Sequence, residues 1–170
     1  FVDCKKLKTI ELPDSVTGIG DYAFMRCYDL KSIKIPNSVT SIGTYAFATC
    51  TALTSIVLSG SITSIEDGAF KDCESLTGIE IPDSVTSIGD SAFSGCTSLT
   101  NIEIPSSVTN IGDNAFLMCS YLESIKLSDS LTRIEDGAFF ACSKLKTVII
   151  PNSVSYIGYY AFDRCPNLTI

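Results

Sequence analysis

The chain has 170 residues, with 12 basic and 19 acidic side chains and a net charge of −7. The basic residues form no stripe along the chain, so the sequence lacks the usual signature of a nucleic-acid binder. The negative net charge also disfavours binding to an anionic membrane surface. Histidine is absent, which excludes the Ser–His–Asp and Cys–His nucleophile arrangements, and no apolar stretch is long enough for a membrane span. We therefore expect no enzyme, no nucleic-acid partner and no direct membrane insertion.

Each repeat begins, after its leucine, with a pattern that predicts a strand. In the second repeat, residues 30–35 alternate apolar and polar side chains towards their end, and Pro36 then ends the ladder because it has no N–H to donate. The β-branched stretch 39–42 predicts a second, shorter strand or extended segment, and Gly43 permits a sharp turn. An Ala-Phe pair closes the repeat.

An aspartate precedes this Ala-Phe pair in most repeats. Such a residue is typical of an N-cap, so we predict one helical or 3₁₀ turn over the Ala-Phe-x-x-Cys segment. The aspartates are Asp21, Asp67, Asp90, Asp113 and Asp136.

The whole pattern recurs every 23 residues without an insertion, and the cysteines mark the period. About seven such repeats make residues 1–170 one solenoid domain, because each repeat can bury its apolar face only against its neighbours. The chain starts and stops within a repeat and shows no polar capping repeat, so we expect a fragment of a longer array, uncapped at both ends. End-to-end self-association is a hypothesis that follows. The cysteines are Cys4, Cys27, Cys50, Cys73, Cys96, Cys119, Cys142 and Cys165.

These cysteines are expected to form a ladder of free, buried thiols. Adjacent rungs would hold parallel side chains about 4.8 Å apart, whereas a disulfide needs converging Cβ atoms and a zinc ion needs ligands around one point. No cofactor or metal is expected.

Two pairs of neighbouring carboxylates have two interpretations. Glu66-Asp67 and Glu135-Asp136 resemble the acid/base pairs of glycosidases. The alternative is structural, with the aspartate capping a turn and the glutamate replacing a turn glycine. Because the pairs recur at one offset, 69 residues apart, duplication explains them better than catalysis does.

The repeat pattern resembles the BspA-like leucine-rich repeat family, and residues 76–96 (LTGIEIPDSVTSIGDSAFSGC) show the resemblance nearly perfectly. The resemblance covers the whole chain. It implies an α/β repeat solenoid, right-handed and curved, with a parallel sheet on one face and short extended segments and helical or 3₁₀ turns on the other. It also implies a cell-surface or secreted protein that binds host or other extracellular proteins, and it supplies no catalytic residues.

Two outward-pointing columns of the predicted sheet are the candidate binding face. The alternative surface lies on the helical-turn side, where Tyr22, Tyr45, Tyr159 and Tyr160 accompany Met25, Leu117, Met118 and Phe140. We predict a protein-binding adhesion or recognition module that uses the sheet; the alternative function is a structural spacer or self-assembly element of a larger surface protein. The sheet-face residues are Thr9, Glu11, Ser32, Lys34, Ser55, Val57, Gly78, Glu80, Asn101, Glu103, Ser124, Lys126, Thr147 and Ile149.

Overall fold

The alternating residues that follow each repeat's leucine form short parallel strands. In the computed structural model, which describes residues 1–169, these strands build a right-handed parallel β-solenoid of about six turns with the leucine-rich repeat fold. The strands are β1 (Gly18–Ile19), β2 (Ser32–Lys34), β3 (Ser41–Ile42), β4 (Ser55–Val57), β5 (Ser64–Ile65), β6 (Ser87–Ile88), β7 (Asn101–Glu103), β8 (Asn110–Ile111), β9 (Ser124–Lys126), β10 (Arg133–Ile134), β11 (Thr147–Ile149) and β12 (Tyr156–Ile157).

The strands belong to two parallel ladders, in which each residue pairs with the residue one repeat away. The three-residue strands pair as β2–β4 and as β7–β9–β11, with Ile102 opposite Ile125, for example. The two-residue strands pair as β1–β3, β5–β6–β8 and β10–β12. The segment predicted as a short strand or extended piece is therefore a strand in most rungs.

The first ladder is interrupted at residues 78–80, which form no strand between β4 and β7. Gly78 stands there in place of the serine or asparagine of the neighbouring rungs. Glycine weakens a strand because it loses more backbone entropy on folding and has no side chain to pack. The interruption lies at the centre of the sheet face.

The predicted helical or 3₁₀ turns are wrong: residues 1–169 contain no helix, and the Ala-Phe-x-x-Cys segments are irregular turns. Two residues of each turn have left-handed backbone angles, as Tyr45 (φ 53°) and Thr49 (φ 60°) do, and these angles end any helix. The N–H of Phe47 donates instead to the carbonyl of Ala69 in the next rung, at 2.9 Å. Backbone donors in this part of the repeat thus alternate between the next rung and the carbonyl three residues back, as Ala48 N does to Tyr45 O at 3.1 Å.

A column of stacked phenylalanine rings runs through the core. Neighbouring rings are nearly parallel, with centroids 5.1 to 5.6 Å apart from Phe1 to Phe162. The alanine before each phenylalanine is small, so it leaves room for the ring in a close-packed interior. Leu, Ile and Val columns fill the remaining space.

The cysteines from Cys27 to Cys165 are buried as predicted, whereas Cys4, in the first rung, is exposed. Each buried thiol donates to a phenylalanine carbonyl of the preceding rung, as Cys96 Sγ does to Phe70 O at 3.2 Å. Burial raises the pKa of the Cys50 thiol to about 12 and that of Cys96 well above its ordinary value of 9.0. The buried cysteines are therefore protonated hydrogen-bond donors of the core.

Candidate functional site

The sheet face consists of the outward residues of the first ladder and of the equivalent positions in the rungs without a strand. In each three-residue strand the central residue is buried and its two neighbours are exposed, as in β7, where Ile102 lies between Asn101 and Glu103. All of the predicted sheet-face residues are exposed except Gly78, which is half-buried. The structure thus places the predicted set on one continuous surface.

Charge on the sheet face is mixed and partly paired. Lys126 Nζ contacts Glu103 Oε1 of the preceding rung, and both side chains are largely exposed. The hydrogen bond from Lys126 to Glu103 raises the pKa of the Lys126 ammonium. Beside this pair, Lys146 Nζ lies 2.7 Å from Glu123 Oε2, and that contact lowers the pKa of Glu123.

Two neighbouring cavities open along the sheet face. The larger, about 510 Å³, spans the rungs of Glu80, Glu103 and Lys126, and the smaller, about 380 Å³, lies between Lys126 and Ile149. Lys126, Leu127 and Asp129 line both cavities, so the two are adjacent, and we refer to them together as the groove. Ile149 is 84% exposed at its far end.

The alternative aromatic surface separates into two clusters. Tyr22 stacks on Tyr45 with ring centroids 5.8 Å apart, and the Tyr45 ring covers Gly68, where an added Cβ would lie 2.2 Å from the ring. Tyr159 and Tyr160, five repeats after Tyr45, are 75% and 71% exposed. They line a cavity of about 450 Å³ with Asn114, Leu117, Asp136, Gly137 and Phe140.

The aspartate column has a role that the sequence prediction missed. The carboxylates do not cap helical turns; each accepts a hydrogen bond from the backbone N–H one rung later, as Asp67 Oδ1 does from Asp90 N at 2.8 Å. Asp136 accepts in the same way from Tyr159 N at 2.7 Å. The sequence does contain a signal for this role, because the aspartates recur at the same position of the 23-residue repeat.

The two carboxylate pairs are engaged in local structure. Their aspartates belong to the aspartate column, Glu66 accepts a hydrogen bond from Ser64 Oγ, and Arg133 binds Glu135 through its Nε at 2.6 Å. These contacts support the structural interpretation of both pairs.

Metal-ligating residues do not gather in the part of the chain that the structure describes: residues 1–169 hold no group of three or more Cys, Asp or Glu side chains able to bind a metal ion. Within the same residues, no helix has the length and apolar character needed to cross a membrane.

The sequence matches the family model described as "BspA type Leucine rich repeat region", in six copies over residues 1–76 and 63–170. No curated protein matches the chain. Among solved structures, a leucine-rich repeat protein from T. pallidum is 34% identical with a TM-score of 0.91, and the match covers 95% of this chain and 78% of that one.

Two further solved structures are similar. A leucine-rich repeat protein from Bacteroides ovatus ATCC 8483 is 36% identical with a TM-score of 0.92, and the match covers 95% of this chain and 44% of that chain. A leucine-rich repeat protein from Eubacterium ventriosum ATCC 27560 is 25% identical with a TM-score of 0.64, and the match covers 96% and 59% of the two chains. The chain therefore spans less than two thirds of both proteins.

Proposed function

Because the chain belongs to the BspA-type leucine-rich repeat family, whose repeat regions are generally protein-interaction modules, we propose that it is a non-enzymatic module that binds another protein through its sheet face. The partner is an extracellular protein, of a host or of another cell, and the module acts in recognition or adhesion.

One observation carries this proposal: the exposed columns of the sheet vary in charge and polarity from rung to rung, whereas the columns that build the core stay apolar. Glu103, Lys126 and Ile149 occupy one column and differ in charge or polarity, although strand pairing makes their backbone positions equivalent. Mixed charge with exposed apolar members is typical of a protein-binding surface. A face of this kind distinguishes one partner from another.

A pull-down with the full-length parent protein tests the proposal. A saturable partner is expected, and binding is lost when Lys34, Glu80 and Glu103 are changed to alanine together. Because all three side chains are exposed, the variant keeps the fold, which far-UV circular dichroism and the urea midpoint check. A variant that is folded and binds as well as the wild type contradicts the proposal.

The second candidate function is that of a structural spacer or self-assembly element. The unbroken phenylalanine column favours it, since every rung adds the same increment of length. A spacer tolerates the sheet-face substitutions and fails when one 23-residue rung is deleted. End-to-end self-association is the related proposal, and a molecular mass that stays monomeric at high concentration contradicts it.

We place the parent protein at the cell surface or among secreted proteins, as family membership supports. Labelling of intact cells with an antibody against this domain tests the location. Signal on intact cells or in the medium supports it, and signal only after lysis contradicts it.

A further inference from the structure

The groove on the sheet face has two chemically different halves. Its first half is the larger cavity, where Glu80, Asp83, Glu103 and Asp129 present carboxylates against the single ammonium of Lys126. Lys126 is paired with Glu103, and within residues 1–169 Glu80, Asp83 and Asp129 form no salt bridge. This half therefore carries uncompensated negative charge.

The second half of the groove is mainly apolar. Leu127, Pro151 and Ile149 line the smaller cavity, and Ile149 stands in the outward column with 84% of its surface exposed. Covering such a side chain is favourable, by about 25 cal/mol per Å² of apolar surface removed from water. A ligand that reaches both halves gains charge pairing at one end and apolar burial at the other.

The spacing of the two halves selects the shape of the ligand. Glu103 and Ile149 occupy equivalent positions two rungs apart, because β7, β9 and β11 pair in register. Rungs lie about 4.8 Å apart, so the two side chains are separated by roughly 10 Å along the solenoid. In a polyproline II segment, residues three apart lie on the same side and are separated by about 9.3 Å.

We propose, building on the sheet-face function above, that this groove binds an extended segment of another protein in which Lys or Arg is followed or preceded, three residues away, by a large apolar residue. The basic side chain lies at the level of the Glu103 rung, between Glu80 and Asp83 of the rung before it and Asp129 of the rung after it, and the apolar side chain covers Ile149. Charge complementarity selects the basic residue, and the rung spacing selects the interval.

The experiment measures fluorescence anisotropy of labelled eight-residue peptides titrated with the complete chain. The probe peptides are Gly-Ser-Arg-Pro-Pro-Leu-Ser-Gly and its reversed form. Both are used because the basic residue can precede or follow the apolar one. Control peptides replace Arg with Glu, replace Leu with Ser, or place Arg and Leu side by side. Saturable binding of one probe, weakened by added salt, is expected, and all three control peptides bind less tightly.

Two protein variants test the two halves separately. Glu80→Gln combined with Asp83→Asn, and Ile149→Ser alone, each weaken probe binding by about fivefold, the equivalent of roughly 1 kcal/mol. Glu74→Gln is the matched control, because it removes one exposed carboxylate outside the groove and leaves binding within about twofold. All of the substituted side chains are exposed, including that of Ile149, so the variants should fold as the wild type does.

Several outcomes overturn the inference. They are an absence of saturable binding when the chain reaches about 1 mM, equal binding of the Glu-containing peptide, or no effect of the paired Glu80 and Asp83 substitutions. Equal binding of the Ser-containing peptide also overturns it, because charge alone would then explain the contact. If the Lys34, Glu80 and Glu103 variant loses the parent protein's partner while no peptide binds, the ligand assignment fails and the proposed function stands.

Discussion

The Oδ1 atom of Asp90 accepts a hydrogen bond of 2.8 Å from the backbone N–H of Asp113, one 23-residue repeat further along the chain. The carboxylate of Asp113 then accepts from the N–H of Asp136 at 3.1 Å. Each aspartate thus satisfies a backbone donor in the next rung, which a turn would otherwise leave to water. The aspartate side chains therefore link neighbouring rungs at the exterior turns, and the stacked phenylalanine rings link them in the core.

Replacing Asp90 with alanine should lower the free energy of unfolding by about 1–2 kcal/mol, because a hydrogen bond to a charged acceptor is lost. Asp90→Asn is the matched control, since its amide oxygen keeps an acceptor in the same place and should cost less than half as much. Urea unfolding followed by circular dichroism measures both. Equal losses for the two variants would show that the charge, and not the hydrogen bond, stabilises the turn.

Gly112→Ala should destabilise the chain by about 2 kcal/mol or more, because the new methyl group would lie 2.7 Å from the backbone nitrogen of Asp90 and 2.8 Å from the carbonyl carbon of Gly89. Backbone atoms held by neighbouring rungs cannot move away cheaply. The control is Gly60→Ala, where nothing lies within 4 Å of the added carbon. Its thermal midpoint should match or slightly exceed that of the wild type, and a similar drop for both variants would refute the steric explanation.

Thr49→Gly should stabilise the chain by up to about 1 kcal/mol. Thr49 holds a left-handed φ of 60°, which is unfavourable for a β-branched residue, and relief of this strain outweighs the added backbone entropy of glycine. Thr44→Gly is the control in the same rung, because Thr44 is similarly half-buried and lies outside the positive-φ positions. It should destabilise, and a stabilising effect at both positions would argue against backbone strain.

The free energy of unfolding should fall as pH rises above about 9. Burial raises the pKa of Cys50 to about 12, from an ordinary value of 9.0, and raises the pKa values of Cys73, Cys96 and Cys119 well above that ordinary value. Between these values the unfolded thiols lose their protons while the folded thiols keep theirs. The unfolded state then binds fewer protons, so the free energy of unfolding decreases by about 1.4 kcal/mol per pH unit for each thiol. The contribution of the buried thiols to stability is fully present below about pH 9.

Urea unfolding between about pH 7 and pH 10.5 measures this slope in the wild type and in Cys96→Val. The variant should show a slope that is shallower by one thiol's share, since valine has no proton to lose. Identical slopes for the two proteins would mean that the buried thiols do not account for the alkaline loss of stability.

Much of the fold could be predicted from the sequence because the period fixes the neighbours of each residue. The spacing of Ile102 and Ile125 alone identifies them as partners in one ladder, and the structure pairs them. The turns were mispredicted because Asp-x-Ala-Phe has the local chemistry of a helix N-terminus. Contacts with the next rung, such as that from Phe47 N to Ala69 O, are stronger determinants than this local preference.

The exposure of the candidate sheet-face residues could be predicted from the sequence, whereas the shape of the surface that they form could not. Alternation along the strand places Asn101 and Glu103 on the exposed side, and both are found there. The interruption of the ladder at Gly78 and the groove beyond it depend on packing between three rungs, which single-column patterns do not describe. The pairing of Lys126 with Glu103 likewise depends on side-chain conformation.

Carboxylate footprinting of the bound complex tests the sheet face most directly. The chain is labelled with a carbodiimide and an amine, with and without its partner, and modification at each carboxylate is measured by mass spectrometry. Protection is expected at Glu80 and Glu103 on the sheet face, with Glu74 and Asp163 labelled equally in both states. Unchanged labelling of Glu80 and Glu103 in a saturated complex would contradict binding through the sheet face.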